Sequence, residues 1–489
     1  MVPSITFGHG KARGKASALT PHLRKRQVVE VRSHPIQSSN PAGEYPNTMA
    51  ELTRRRFLGR SVSAAAAAAA LAGHAAPIRR VGANDRIRVG LIGCRGIGMT
   101  HTRLWLANPE VDIVAICDVD DAAAANSFQY ISETRDFTPG VYKDFRRVID
   151  RDDIDAIIVA TPDHWHALPT VYGCQADKDV YVEKPLGQCI DEGRAIVEAA
   201  KRHDRVVQMG TQWRSGAHFR DAIEFVHSGQ LGTIRQVRAW AYLDWALPPE
   251  GIGSPADADP PEGVDYDMWL GPAPLRPFNP NRFHFNFRWF WDYAGGLMTD
   301  WGVHLINLAL WGMGPEMPLR VSSVGGKRVL EDNSDTPDTQ IAVYDFPSYT
   351  LVWEHQLQSD LGPHGRPHGV LFSGSKGTLQ LWSDGWEVTP EPKFGDFEAA
   401  THRGDGATHG AHVRNFLDCM HTREKPVQHP ELAHHVSTVA ALGNIALRSG
   451  REIHWDAANE VITDDPEADA LVARPYRKPW TLPYSRRLA

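Results

Sequence analysis

The stretch Ile87-Arg88-Val89-Gly90-Leu91-Ile92-Gly93-Cys94-Arg95-Gly96-Ile97-Gly98 decides the fold. Its first half is a short apolar strand, its second half a glycine-rich turn, and a helical run follows through Ala107. Glycine permits the tight turn and lets backbone N–H groups approach an anion at the helix N-terminus. A second apolar run, Val111 to Cys117, ends in Asp118, 20 residues after Gly98. Strand, turn, helix, strand and terminal acid form the βαβ arrangement that holds a dinucleotide, with the acid on the ribose hydroxyls. Gly93, Arg95, Gly96, Ile97, Gly98 and Asp118 are therefore candidate cofactor residues. With Gly93 and Gly98 as first and third glycines, Arg95 occupies the second position, a departure from the commonest pattern. Asp118 favours NAD, because a carboxylate repels a 2′-phosphate. NADP stays open, since Arg95 is placed to offset that repulsion.

The alternation continues downstream. Asp155 to Ala160 reads as a buried strand, with a helix from about Ala167. Val180 to Glu183, a helix from Asp191 to Arg202 and a strand from Val206 to Met209 follow. Strands alternating with helices imply an α/β fold with a doubly wound parallel sheet. Ligands bind beyond the carboxyl ends of such strands. Thr161, Pro162, His164, Glu183, Lys184 and Gln212 all fall there, with Arg214 close behind. Lys184 stands out among them, because it lies between a strand and Pro185, which biases it toward extended geometry. A placed lysine beside a cofactor loop suggests redox chemistry on an alcohol or sugar.

After about Gly210 the pattern changes. A helix from Phe219 to Ser228 precedes strand-like runs at 235–242, 341–346, 350–355, 369–373 and 377–382. Turns such as Gly374-Ser375-Lys376-Gly377 point to an open, mainly antiparallel sheet. The segment Arg282 to Asp292 is dense in aromatic residues, which suit a core, an interface or a stacking wall for a sugar ring; Trp289 is the candidate substrate contact. Asp300 and His304 are four residues apart at the start of an apolar helix. On one helix they share a face, where an Asp can orient and tune a His as an acid/base unit. The plainer reading is an N-cap and a core histidine.

The chain has 489 residues, too many for one core, and a formal charge of −7. Residues 1–76 carry 11 Lys and Arg against 3 Asp and Glu, a net of +8, so the remainder carries −15. An acidic body argues against a nucleic-acid partner. The 5 cysteines lack paired spacing, which speaks against a disulfide framework or structural zinc. His164, His166, His364 and His368 form no identifiable ligand set, so no metal is expected.

Thr53-Arg54-Arg55-Arg56-Phe57-Leu58 precedes an alanine-rich run, Ala64 to Ala72, too short to span a membrane. This resembles a twin-arginine export signal over about 49–76, with residues 1–48 an upstream extension. The expected location is periplasmic or exported, or cytoplasmic if the signal is unused. The expected divisions are a leader over 1–83, a dinucleotide domain over 84–210, a substrate and oligomerisation domain over 211–455, and a tail over 456–489. The tail is expected either to reach a neighbouring subunit or to lie on the surface.

The glycine loop, Thr161-Pro162-Asp163-His164-Trp165-His166, Glu183-Lys184-Pro185 and Gly296…Asp300-Trp301-Gly302-Val303-His304 together resemble the glucose–fructose oxidoreductase / inositol dehydrogenase / MocA family, from about Arg86 to Arg451. The resemblance implies a Rossmann domain, an α/β domain whose open sheet makes dimers or tetramers, NAD as cofactor and a sugar or polyol as substrate. It implies that Lys184 contacts the substrate hydroxyl and nicotinamide region. His304 would be the base, and Asp300 would orient His304 or bind substrate. The family also includes redox-neutral glycosidases and lyases that hold NAD(H) tightly, and export without a cofactor pool favours that alternative. A non-catalytic dinucleotide- or carbohydrate-binding protein is the third reading; Lys184, Asp300 and His304 argue against it.

Overall fold

The computed structural model describes residues 86–244 and 251–487. The expected twin-arginine signal lies outside the described residues. The first domain runs β1 (Ile87–Ile92), α1 (Ile97–Leu106), β2 (Val111–Cys117), α2 (Asp121–Thr134), β3 (Gly140–Tyr142), α3 (Arg146–Ile149), β4 (Ala156–Val159), α4 (Ala167–Gln175), β5 (Asp179–Val182), α5 (Ile190–Arg202) and β6 (Val207–Met209). Its six strands are parallel and ordered β3-β2-β1-β4-β5-β6. The strand order reverses between β1 and β4, which opens a crevice at their carboxyl ends. Every residue of β4 and β5 is buried, as expected of a parallel sheet covered on both faces. Strand β3 escaped the sequence reading because three partly exposed edge residues carry no apolar pattern.

The second domain contains α6 (Ala217–His227), β7 (Ile234–Leu243), α7 (Tyr266–Leu270), α8 (Gly296–Asp300), α9 (Gly302–Met313), β8 (Arg320–Gly326), β9 (Thr339–Asp345), β10 (Thr350–Leu357), β11 (His368–Gly374), β12 (Gly377–Trp382), β13 (Gly385–Pro390), β14 (Ala400–Arg403), α10 (Thr408–Thr422), α11 (Pro430–Ser449), β15 (Ile453–Asp456), β16 (Val461–Thr463) and α12 (Pro466–Asp469). The ten strands form one sheet, β14-β13-β12-β11-β7-β10-β9-β8-β15-β16. Only β7 and β10 pair in parallel; the other neighbours are antiparallel. Strands β9 and β10 alternate between buried and more exposed residues. Their inner face packs with α6, α9 and α11 in the main core, and their outer face leaves Ile341 and Val343 exposed. The sequence reading missed β8, β13, β14, β15 and β16; Ser and Gly dilute β8, and β14 is exposed throughout.

One expectation changes here. Asp300 and His304 do not lie on one unbroken helix, because α8 ends at Asp300 and α9 starts at Gly302. His304 N–H donates to Trp301 O at 3.0 Å, tightening the junction. The tail, in turn, lies against the chain's own first domain. The Arg474 guanidinium donates to Glu192 Oε1 at 2.7 Å and to His164 O at 2.8 Å, and Tyr476 O–H donates to the same Glu192 oxygen at 2.8 Å. Glu192 is fully buried, so these partners take the place of its lost water. Arg474→Met is expected to cost about 3–5 kcal/mol, the cost of leaving one member of a buried pair alone; equilibrium denaturation measures it.

Candidate active site

Loops from the carboxyl ends of β1, β2, β4, β5 and β6 meet the segment 284–304 of the second domain around a cavity of about 530 Å³. The glycine loop forms one end. Gly93 and Gly96 adopt φ of 91° and 52°, so glycine is needed at both, whereas Arg95 is not in the left-handed region. A Cβ on Gly93 would overlap the backbone at Ala160, so this loop lies directly on the exit of β4. A Cβ on Gly96 would meet nothing within 4 Å, which leaves its backbone open to a phosphate at the start of α1. No acidic residue stands in the first turn of α1 to repel one. Asp118 accepts from Cys94 N–H at 2.7 Å and from Asp120 N–H at 3.0 Å, which ties the loop to the end of β2. Burial pushes the Asp118 carboxyl up. Thr161 Oγ1 lines the same cavity, buried and without a partner among the described residues. Helix-start donors, a carboxylate at the end of β2 and an orphaned hydroxyl are the set a dinucleotide satisfies.

The other end is built around Lys184. Its N–H donates to Glu183 Oε2 at 3.2 Å, and Glu183 Oε1 lies 2.7 Å from His101 Nε2 in the buried interior. Burial would raise the Glu183 carboxyl, but His101 and Lys184 hold it down at about 2. His166 spans two loops, with Nδ1 2.6 Å from Pro185 O and Nε2 2.9 Å from Thr161 O. Lys184 therefore sits on a backbone held from both sides.

The Lys184 ammonium donates to Asp300 Oδ1, and Arg288 Nε lies 3.5 Å from Asp300 Oδ2. Burial favours protonation of Asp300, but Lys184 and Arg288 hold its carboxyl down at about 2. Asp163 faces the same cations with the opposite result. Burial outweighs Lys184, and Asp300 adds to it, so Asp163 is pushed up to about 8. At neutral pH one carboxyl is ionised and its neighbour protonated, the split expected of an acid/base pair. Burial, and then the charge of Lys184, push His304 down to about 3. Its imidazole is thus neutral, with Nδ1 buried and unpartnered among the described residues.

Of the residues singled out in the sequence, Gly93, Arg95, Gly96, Ile97, Asp118, Thr161, Pro162, Glu183, Lys184, Gln212, Asp300 and His304 line this one cavity. Four do not. A Cβ on Gly98 would overlap Gly93 O, so Gly98 serves the packing of α1 on the loop. His164 points away, with Nε2 2.9 Å from Trp269 O and its ring against Trp269 and Tyr293. Arg214 donates to Asn307 Oδ1 at 3.1 Å and lies over Trp311. Trp289 is a core residue, 2 % exposed. Asp300 also changes role: no hydrogen bond joins it to His304 among the described residues, and its partner is Lys184.

The sequence reading passed over Asp163, Arg288 and His409, all of which line the cavity. Asp163 stood inside the quoted Thr161–His166 stretch. The short 3-10 turn at Asp163–Trp165 sends its side chain to the cavity and His164 to the opposite side. Arg288 stood beside Trp289. His409 carried no signal, because only the packing of α10 brings it near.

The family model for the Gfo/Idh/MocA NAD-binding Rossmann fold matches residues 87–211, and the model for the family's C-terminal alpha/beta domain matches 216–400 and 406–482. The chain belongs to the Gfo/Idh/MocA oxidoreductase family. Its cofactor is NAD, held by the first domain. Curated relatives include a glycosyl hydrolase family 109 protein of Shewanella pealeana, 30% identical over 32% of this chain and 36% of that protein. An alpha-N-acetylgalactosaminidase of Shewanella oneidensis is 29% identical over 32% of this chain and 35% of that protein. The chain thus spans about a third of the length of these relatives. Among solved structures, a levoglucosan dehydrogenase in complex with NADH and levoglucosan aligns with a TM-score of 0.60 and 18% identity, covering 76% of this chain and 99% of that one. The WlbA dehydrogenase of Bordetella pertussis, with NADH and UDP-GlcNAcA, aligns at 0.57 and 18%, covering 76% and 99%. At these identities the structures show a shared fold.

The Asp163 assignment has a measurable consequence. Between the ordinary Asp value and about 8 the folded protein holds a proton that the unfolded chain has lost, so stability falls as pH rises through that window. In Asp163→Asn this fall is expected to disappear. The variant's stability relative to the parent should grow from pH 4 to pH 8, by on the order of 5 kcal/mol, in denaturation series across pH.

Proposed function

We propose that this Gfo/Idh/MocA protein oxidises a carbinol carbon of a sugar or polyol, with Lys184, His304 and Asp300 at the reacting end. The observation that carries this reading is the meeting of a charged Lys184–Asp300 pair and a neutral His304 in one cavity with the glycine loop. NAD, when bound, supplies the hydride acceptor. The residues of the chain do the rest. His304 takes the hydroxyl proton, and Lys184 stabilises the charge developing on that oxygen. Asp300 holds the ammonium in place. Asp163, protonated at neutral pH, offers a hydrogen-bond donor to a neighbouring substrate oxygen. Phe285, Phe287 and Trp301 give the cavity an apolar wall suited to a sugar face.

A second reading is supported by the names of the curated relatives. The same groups suit a redox-neutral course in which a carbinol is oxidised transiently, the adjacent C–H is acidified and the glycosidic oxygen leaves. Water then adds and the hydride returns. We further propose export through the twin-arginine route, on the strength of Arg54-Arg55-Arg56 ahead of the alanine run, and assembly as a homodimer or homotetramer through the open sheet face at Val324, Ile341 and Val343.

Incubation of the purified protein with excess NAD and sugars, polyols and glycosides, followed at once for NADH and for sugar products, separates the two courses. The first predicts NADH accumulating with the oxidised sugar. Glycoside cleavage without NADH would replace it with the second. Lys184→Ala is expected to lower turnover about 10³-fold while NADH affinity changes by less than about threefold, in steady-state kinetics and fluorescence titration.

A further inference from the structure

The end of the cavity nearest Asp118 has a wall that neither the glycine loop nor Lys184 explains. Asp118 N–H donates to Tyr142 O at 3.1 Å, so the turn carrying Lys143 and Phe145 lies beside the ribose-binding acid. Phe145 and Trp165 line the cavity there, their ring centroids 5.3 Å apart in an edge-on contact. In a dinucleotide fold this is the adenosine end. Trp165 also bridges the domains, since its Nε1–H is shared between Trp269 O at 2.9 Å and Met268 O at 3.1 Å. A Cβ on Gly271 would overlap the Trp165 indole, and Gly271 holds a φ of 50°, so the second domain is shaped around that ring.

Behind both rings stands a residue that does not itself line the cavity. The Trp480 ring lies edge-on to Trp165 at 4.9 Å and roughly parallel to Phe145 at 6.2 Å. The Arg146 guanidinium covers it at 5.2 Å. Trp480 belongs to the C-terminal strap, which is anchored on each side of it. On one side Arg477 Nε donates to Gly271 O at 2.9 Å, its other nitrogens donate to Asp267 Oδ1 at 2.6 Å and Asp267 O at 2.8 Å, and its N–H donates to Pro272 O at 2.9 Å. On the other side Ser485 Oγ donates to Asp191 Oδ2 at 2.5 Å, and Arg487 pairs with Asp469 at 2.5 Å. The strap is thus fixed to the second domain, then to the first, and then back to the second, with Trp480 pressed on the cofactor wall between anchors.

We propose that Trp480 is a positioning residue for the bound dinucleotide: the strap holds the Phe145–Trp165 wall closed on the adenosine half and so slows nucleotide release. Trp480 fills the space directly behind that wall. This inference rests on NAD binding and is independent of the sugar reading. A protein that keeps its nucleotide through many turnovers would need such a device, whatever its substrate.

The test is the rate of NADH release, followed by nicotinamide fluorescence after mixing the loaded protein with excess NAD in a stopped-flow instrument. Trp480→Ala is expected to release NADH about tenfold faster, the scale of one lost aromatic contact. Trp480→Phe should restore the parent rate to within about twofold. An unchanged release rate in Trp480→Ala overturns the proposal. So does faster release that Trp480→Phe leaves unrestored and that tracks a fall in nucleotide-free stability, since that pattern makes Trp480 merely structural. If Trp480→Ala does not fold, Arg477→Gln serves: release about threefold faster is expected from the loosened anchor, and an unchanged rate overturns the proposal.

Discussion

The contact on which the site depends is the ion pair between Lys184, at the end of a first-domain strand, and Asp300, at the end of a second-domain helix. Both groups are largely withdrawn from water, and a buried pair stabilises little beyond its own desolvation cost. Its value is registration. With either partner alone, an uncompensated charge would sit in the cavity, so the domains are held to the one arrangement in which the ammonium reaches the carboxylate. Arg288 on the far oxygen of Asp300 leaves that carboxylate firmly ionised, and the lysine firmly placed.

That placement sets the protonation of everything around it. Asp163 and Asp300 are both buried carboxyls near one lysine, yet one is ionised and the other protonated. The difference comes from direct contact: Asp300 receives the lysine's hydrogen bond, and its charge then works against a second ionisation nearby. Burial, aided by the same positive charge, keeps a proton off His304. Burial together with one cation therefore leaves a charged acceptor, a neutral donor and a neutral imidazole around a single space.

The cofactor end follows a different logic, that of backbone approach and aromatic packing. Glycine at Gly93 lets the loop lie on the exit of β4, glycine at Gly96 leaves the backbone open at the start of α1, and Phe145 and Trp165 line the cavity on the Asp118 side. Trp165 is packed by residues from both domains and from the C-terminal strap, so the cofactor wall and the domain geometry share one cluster.

Much of this was legible in the sequence, because the information was local. The strand–glycine–helix–strand–acid order, the buried strands and the lysine ahead of Pro185 determined the Rossmann domain, the cofactor class and Lys184, since periodicity and turn chemistry act over a few residues. The antiparallel character of the second sheet was readable from its turns, but its exposed and Ser/Gly-diluted strands were not. What only the tertiary structure decided was direction and partnership. Asp163 and His164 are neighbours in sequence, yet one faces the cavity and the other an aromatic core, because a 3-10 turn sends them to opposite sides. Asp300 is four residues from His304 yet serves Lys184, because the helix breaks at Trp301 and a buried carboxylate goes to the nearest cation. Arg288, His409 and Trp480 reached their places through packing between segments far apart in the chain, and no local pattern encodes a contact of that kind.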